Sequence, residues 1–260
     1  MVGQMGSALI GSTGFVGGTL LRQATFDEQF HSTDIETIRG RSYDLLVCAA
    51  APAEKWKANL EPGRDRANIQ RLIDCLRDVH AGHVVLISTV DVYPVPVEVD
   101  EDTPIDPRAA SAYGRHRFEL EEFVRDRFGT TCVRLPGLFG RGLKKNVIYD
   151  FLNDNTVASI CPDSVFQFYH LERLWQDIVA ARTYRLGTVN FAVEPVNVRD
   201  VAREAFGLTF ENPLEVKPVR YDMRTKYASL FGGTGAYLAS RDRVLTAIRR
   251  FVADWRLEHP

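Results

Sequence analysis

Residues 8–17 read Ala8-Leu9-Ile10-Gly11-Ser12-Thr13-Gly14-Phe15-Val16-Gly17. A short apolar run ends in a glycine-rich turn with the spacing G-x-x-G-x-x-G, and a helix-like segment, 14–24, follows. The apolar run predicts a buried strand that delivers the chain to the turn. The glycines let the backbone come close to a ligand, and the unpaired N–H groups at the helix start favour an anion there. A glycine triplet alone also fits an ordinary tight turn. Strand before and helix after are the context in which this spacing holds the pyrophosphate of a dinucleotide. On that reading Gly11, Thr13, Gly14, Phe15, Val16 and Gly17 form a cofactor loop.

Outward from the loop, apolar strand runs alternate with amphipathic helical segments. Strands are expected at 8–11, 29–32, 44–49, 83–89 and 131–135. Helices are expected at 65–80, where Ile69, Leu72, Ile73, Leu76 and Val79 recur at helical spacing, and at 111–128. Continuous apolar strands between helices predict a parallel sheet covered on both faces, hence a doubly wound α/β fold. After Pro136 the pattern changes to a Gly/Pro cluster and shorter elements, with helices expected at 171–182, 198–206 and 241–255. One unit over 1–260 is expected: about 1–140 mainly dinucleotide-binding, and about 141–260 mainly a smaller substrate lobe with interleaved elements.

Composition narrows the function classes. The chain has 260 residues, 45% hydrophobic and 25% charged, with a formal net charge of −2. That balance gives no strong pull toward nucleic acid or an anionic membrane, and no basic stripe is interleaved with aromatics. No apolar run approaches the roughly 20 residues needed to span a bilayer. The opening MVGQMGSALI has no basic n-region, so a cytoplasmic protein without a signal peptide is expected. Cys48, Cys75, Cys132 and Cys161 are scattered, with no C-x-x-C pair. They are expected to be buried free thiols in a reducing compartment, with no metal site.

Further segments, in order, carry a resemblance. Ala49 and Ala50 close the apolar run DLLVCAA, and Asn68 lies in the next helix. Leu86-Ile-Ser88-Thr89-Val-Asp91-Val-Tyr93 follows, then Ser111-Ala-Tyr113-Gly-Arg-His-Arg117, then Arg134-Leu-Pro136-Gly-Leu-Phe-Gly140. With the glycine loop, these resemble the extended short-chain dehydrogenases/reductases, the NAD-dependent epimerase/dehydratase group, over about residues 8–205. The resemblance implies a Rossmann-type sheet with a small C-terminal substrate lobe. It implies adenosine-side contacts from Ala49 and Ala50, and a helix-to-sheet tie from Asn68. It also implies cofactor contacts from Ser88, Tyr113, Arg117 and Pro136. The implied activity is a reversible oxidation or reduction of a hydroxyl or ketone on a sugar or nucleotide-sugar, or a net epimerisation.

The implied chemistry can be checked against the residues. A tyrosine is an acid/base near neutral pH only if its pKa, about 10, is lowered. In the family a lysine four residues on does this, because i and i+4 share a helix face. Tyr113 has that spacing to position 117, but position 117 is arginine. Arginine keeps the charge and can stabilise a phenolate, yet it is larger and planar. The implied roles are acid/base for Tyr113, oxygen-holding donor for Thr89, and cationic orienter for Arg117. The departure at 117 supports a second reading, a non-catalytic NAD(P)-binding scaffold or redox-reading protein. Val90 and Asp91 stand where the family's dehydratases carry an adjacent Asp-Glu pair, so a dehydratase of that type is not expected.

Cofactor choice turns on the residues about 20 past the glycine turn. Asp34 suits a ribose diol and NAD, or else caps the next short helix. His31, Ser32 and Thr33 suit the 2′-phosphate of NADP, and Arg39 and Arg41 are near in sequence. The reading leans slightly to NAD. Asp91, Lys144, Asn146 and Tyr169 are candidate substrate contacts, with Lys145, His170, Arg220, Arg224 and Lys226 as further ones. Trp56 either stacks on a ligand or covers its own loop. Phe118, Phe123, Ile69 and Leu72 are compatible with a homodimer interface and equally with packing in a monomer.

Overall fold

The computed structural model describes residues 6–212 and 217–259, so the first five residues of MVGQMGSALI lie outside it. The chain divides into two compact units. One comprises Met1–Val95, Thr103–Arg134 and Leu174–Val189; the other comprises Pro96–Asp102, Leu135–Arg173 and Asn190–Pro260.

The first unit opens with β1 (Ser7–Ile10), the glycine turn, α1 (Phe15–Gln23) and β2 (Glu28–Phe30). Then come β3 (Ser42–Cys48), α2 (Lys55–Leu60), α3 (Pro62–Arg77) and β4 (His80–Thr89). The chain lends β5 (Val97–Val99) to the second unit and returns for α4 (Ala112–Arg127) and β6 (Thr130–Leu135). The second unit then takes β7 (Gly137–Phe139), α5 (Val147–Asn153), β8 (Val165–Phe166) and β9 (Phe168–His170). After a single turn at Leu171–Arg173, α6 (Leu174–Thr183) and β10 (Thr188–Asn190) complete the first unit's sheet. The chain closes in the second unit with β11 (Val196–Asn197), α7 (Val198–Val201), β12 (Asp222–Met223) and α8 (Arg241–Glu258).

The central parallel sheet has the strand order β2-β1-β3-β4-β6-β10. Its register sets Leu9 against Val47, Ile10 against Cys48, and Cys48 against Leu86. These residues are all buried, as parallel strands covered on both faces require. The strand order changes direction at β1, which places the ligand crevice of such a sheet at the carboxyl ends of β1 and β3. Ile69, Leu72, Ile73 and Leu76 of α3 join this core, so Ile69 and Leu72 pack inside the unit; Phe123 packs against the same core.

α4 turns an unusual face inward. Tyr113, His116, Arg117, Leu120, Glu121 and Val124 are all buried. Charges survive there only if each meets a partner. Asp65 of α3 meets Arg117, and Arg134 of β6 meets Glu121.

The second unit is made of short pairs: β5 with β12 and β7 with β9 in parallel, β8 with β11 antiparallel. The buried Gln167 amide ties them together. It donates to the carbonyls of Val193 and Met223 at 2.6 and 2.7 Å and accepts from the Met223 N–H at 2.7 Å. Phe139 stacks on His170 at 4.5 Å and meets Phe251 of α8 edge-on.

Several expected boundaries move. The second strand begins one residue earlier and ends at Phe30. The segment around Trp56 is helical, as α2, with Trp56 on its exposed side. A π-helical turn at Ala202–Phe206 continues α7. Asn68 is exposed, and the polar side chain that α3 buries is Asp65, one turn earlier. None of the four cysteines is in a disulfide; Cys48, Cys75 and Cys132 are buried and Cys161 only partly so.

Candidate functional site

Steric demands separate the three loop glycines. Gly11 has φ +87°, and a Cβ there would lie 2.5 Å from the Ala49 carbonyl oxygen. A Cβ on Gly17 would lie 2.0 Å from the Gly11 carbonyl oxygen, so α1 can start against the turn only with glycine at this place. A Cβ on Gly14 would lie 3.3 Å from the same oxygen, tight but well short of the clash at the other two. Gly14 is the N-cap of α1. The helix start thus carries neither a capping side chain nor an acidic residue of its own first turn.

Beyond β2, His31 and Asp34 are drawn into the local turn. Ser12 Oγ lies 2.7 Å from His31 Nδ1. The His31 backbone N–H donates to Asp34 Oδ1 at 2.6 Å, so the Asp34 carboxylate closes this turn. Arg71 of α3 donates to the Ser32 carbonyl at 3.0 Å and to Glu36 at 2.8 Å. Arg39 is held by Glu36 and Asp78, and Arg41 by Glu28.

Tyr113, Thr89 and Asp91 come together at the carboxyl end of β4. Ser111 caps α4 by accepting from the Gly114 N–H at 3.3 Å, and the Tyr113 N–H donates to Asn59 Oδ1 of α2 at 3.0 Å. Gly114 is the contact point: a Cβ there would lie 1.9 Å from the Asp91 carbonyl oxygen. This close approach seats the start of α4, with Tyr113, against the segment that follows Thr89. Thr89 Oγ1 also accepts from the Asp91 N–H at 3.2 Å and lies 3.5 Å from Asp91 Oδ2. Lys55 Nζ is 2.6 Å from Asp91 Oδ1. Burial pushes the phenol above its ordinary value. Arg117, Lys55 and the Thr89 hydroxyl pull the other way, and the Asp91 charge adds to the rise.

Arg117 lies under this tyrosine with its guanidinium carbon 3.9 Å from the ring centroid. Its fork is bidentate to Asp65, at 2.5 and 2.9 Å, and Nη2 also donates to the Pro52 carbonyl at 2.5 Å. His116 Nδ1 lies 2.7 Å from the same carboxylate. Only Nε of Arg117 is without a partner. Burial alone would raise the Asp65 carboxyl, but Arg117 and His116 outweigh it and hold it below the usual range. Ser88 donates to the buried Glu121 at 2.5 Å; Glu121 pairs with Arg134, which reaches the Tyr93 hydroxyl at 2.7 Å. Ser88 is thus the start of a buried polar chain.

In the second unit, Asn146 caps α5. Its Oδ1 accepts from the Ile148 and Tyr149 N–H groups, and its Nδ2 donates to the Leu138 carbonyl at 2.8 Å. Tyr169 is buried against Phe191, Pro136 is buried, and Lys144, Lys145 and Arg220 are exposed. Arg224 pairs with Glu98 and Asp222, and Lys226 with Asp102. Among the described residues, no three His, Cys, Asp or Glu side chains group as a metal-ligand set. No described helix is long and apolar enough to cross a membrane.

Lys55, Asn59, Asp65, Arg71, Gly114 and Glu121 were not evident as site residues from sequence. Asp65 and Arg117 are 52 positions apart, and neither spacing nor composition links them. Gly114 carried a readable signal, a glycine in the first turn of a helix.

The model of the NAD dependent epimerase/dehydratase family matches residues 30–159. The chain belongs to this family. The matched span holds Thr89, Tyr113 and Arg117 and begins after the glycine loop. Solved structures are similar over nearly the whole chain. A UDP-galactose 4-epimerase shares 18% identity, with 98% of this chain and 99% of that one covered and a TM-score of 0.73. A dTDP-4-dehydrorhamnose reductase from Clostridium acetobutylicum shares 17%, with 96% and 99% covered and a TM-score of 0.72. The RMD protein of Pseudomonas aeruginosa, complexed with NADPH, shares 15%, with 97% and 99% covered and a TM-score of 0.73. At these identities the likeness is one of fold: the Rossmann-type arrangement of the epimerase/dehydratase family. No curated protein sequence matches the chain.

Proposed function

We propose that this chain binds NAD or NADP on the Gly11–Gly17 loop and interconverts a hydroxyl and a ketone on a sugar or nucleotide-sugar. The observation that carries the reading is the seating of the Tyr113 helix against the carboxyl end of the buried strand that ends in Thr89, through a Gly114–Asp91 contact that only glycine permits, with the Arg117 guanidinium 3.9 Å from the Tyr113 ring centroid. The dinucleotide fits the cradle: Gly11 and Gly17 admit no Cβ, Gly14 leaves the helix start uncapped, and Ala49 is the small residue facing Gly11. Gly11, Thr13, Gly14, Phe15, Val16 and Gly17 would hold its pyrophosphate, with Ala49 and Ala50 on the adenosine side. When bound, the nicotinamide supplies a hydride acceptor and donor.

The remaining work falls to the chain's own residues. The Thr89 hydroxyl holds the reacting oxygen by a hydrogen bond. Tyr113 Oη takes the proton from a substrate hydroxyl, or gives it to a ketone oxygen. Arg117, fixed by Asp65 and Pro52, braces the tyrosine ring from below and keeps a positive charge beneath it. Asp91, Lys144, Asn146 and Tyr169 remain candidate substrate contacts. Ser32, Asp34 and Arg71 are the residues on which NAD and NADP would be told apart. A cytoplasmic setting is part of this proposal, and none of the four cysteines is joined in a disulfide.

Tyr113→Phe is expected to abolish turnover with a nucleotide-sugar while leaving dinucleotide affinity within about twofold, because the phenol oxygen acts on the substrate. The engagement of both terminal nitrogens of Arg117 by Asp65 and the Pro52 carbonyl favours a second reading, a dinucleotide-binding protein without turnover. That reading requires Tyr113→Phe and wild type to be equally inert across a nucleotide-sugar panel with both cofactors.

A further inference from the structure

Position 117 is where the sequence places a cofactor contact, yet the structure spends the donors of Arg117 elsewhere. We infer that Arg117 is a positioning residue for the adenosine side of the dinucleotide site, acting through the Pro52 carbonyl, and makes no contact with the nicotinamide ribose. Affinity then resides in the adenosine diphosphate half of the ligand. The inference rests on the reading of the Gly11–Gly17 loop as a dinucleotide cradle and deepens it by naming the ligand class: molecules built on ADP, with or without the nicotinamide end.

The argument is an account of donors. A guanidinium carries five N–H groups, two on each terminal nitrogen and one on Nε. Nη1 of Arg117 donates to Asp65 Oδ2 at 2.5 Å and to the Tyr113 carbonyl at 3.2 Å. Nη2 donates to the Pro52 carbonyl at 2.5 Å and to Asp65 Oδ1 at 2.9 Å. Four acceptor atoms thus take the terminal N–H groups. The remaining N–H, on Nε, is buried, as is the whole side chain. The Tyr113 ring lies against the guanidinium, with its centroid 3.9 Å from the central carbon. To reach a bound ribose, Arg117 would have to leave a buried carboxylate without its partner, which buried ion pairs strongly resist.

What Arg117 holds instead is backbone. Pro52 lies in the irregular segment between β3 and α2. That segment starts at Ala49, whose N–H donates to the Ile10 carbonyl at 2.9 Å. Its other contact is with the glycine loop: a Cβ on Gly11 would lie 2.5 Å from the Ala49 carbonyl oxygen and 2.9 Å from Ala50 Cα. The stretch from Ala49 to Pro52 is therefore held against the glycine loop at one end and by Arg117 at the other. Asp65 fixes Arg117, and His116 Nδ1 lies 2.7 Å from the same carboxylate. Through one guanidinium, α3 and α4 set the adenosine wall of the cradle, and supporting contacts of this kind decide how precisely a binding residue is held.

The test is calorimetric titration of full-length wild type and of the double variant Asp65→Leu/Arg117→Met. Removing a buried pair as a unit avoids the stranded charge that a single substitution leaves. The ligands are matched: NADH against ADP, and NADPH against 2′-phospho-ADP. A hydrogen bond from a charged donor to the ribose would make the dinucleotide bind about tenfold tighter than its half, or more. The inference predicts a wild-type preference below about tenfold. In the double variant it predicts weaker binding of both ligands by the same factor, with their ratio unchanged. That ratio is the readout a general loosening of the fold does not move. A preference of about tenfold or more that vanishes in the double variant makes Arg117 a ribose ligand and overturns the inference. The same preference kept in the variant overturns the assignment of affinity to the ADP half. Undiminished binding of both ligands by the variant overturns the tie through Pro52. Wild-type protein that binds neither a dinucleotide nor its half defeats the cradle reading itself, a failure distinct from any of these ratios.

Discussion

Asp65 shows how one residue can hold a site together from behind. Its carboxylate accepts both arms of Arg117 and faces the His116 ring, all within a buried pocket between α3 and α4. Removing one partner of such a pair leaves an uncompensated charge, which typically costs about 3–5 kcal/mol. Asp65→Asn should therefore lower unfolding free energy in urea at pH 7 by roughly that amount. The pH dependence has a definite sign. The folded carboxyl lies below the ordinary 3.8, so its stabilisation is complete above about pH 4 and drains away as pH falls through the folded value. Between pH 4 and pH 2 the wild type should lose stability faster than Asp65→Asn, and equal slopes in that window contradict the account. The arginine at 117 was legible as the departure from Y-x-x-x-K. The carboxylate that answers it was not, because residues 52 apart in sequence meet only after two crossovers of the sheet.

At the scale of elements, α4 explains which helices can be read and which cannot. Its buried face carries Tyr113, His116, Arg117 and Glu121 as well as Leu120 and Val124; its helix was expected over 111–128, while its buried polar face was not. α3 buries Ile69, Leu72, Ile73 and Leu76 and is plain from the sequence. α2, β5, β7, β8, β9, β11 and β12 were not read. They run only two to six residues, and pairing partners far along the chain hold them. The seat of α4 is a sharper matter. A methyl on Gly114 would sit 1.9 Å from the Asp91 carbonyl oxygen, where real Cβ atoms stay beyond about 3.0 Å. Gly114→Ala must push the start of α4 away from Thr89. It should cost about 1–3 kcal/mol of stability, as overpacking does, and cut turnover by well over tenfold with dinucleotide affinity little changed. A variant with wild-type urea midpoint and wild-type turnover would show that the close approach is not required.

For the whole molecule, the path of the chain matters more than a domain boundary. It passes between its two units repeatedly, and the sheet receives β10 and its covering helix α6 from residues beyond 173. Trp175 of α6 packs edge-on against Phe26 at 5.5 Å, and its backbone N–H donates to Gln23 Oε1 at the end of α1. A fragment of residues 1–140 lacks these pieces and leaves β6 as an open edge, so it should show no cooperative urea transition by near-UV circular dichroism. A sharp transition at wild-type midpoint would make the first 140 residues independent. The doubly wound sheet, its glycine loop and the tyrosine helix were all legible, since each depends on local pattern. The split path was legible only as an expectation of interleaving, because which strand closes the sheet is decided by long-range pairing. The central claim is that the Gly11–Gly17 loop holds a nicotinamide dinucleotide, and its most direct test is calorimetric titration of NADH and NADPH, each separately, into wild type and Gly17→Ala. The account predicts saturable binding of at least one cofactor by wild type and its loss in Gly17→Ala with the fold retained. No binding of either cofactor by wild type at millimolar concentration, or undiminished binding by Gly17→Ala, would contradict it.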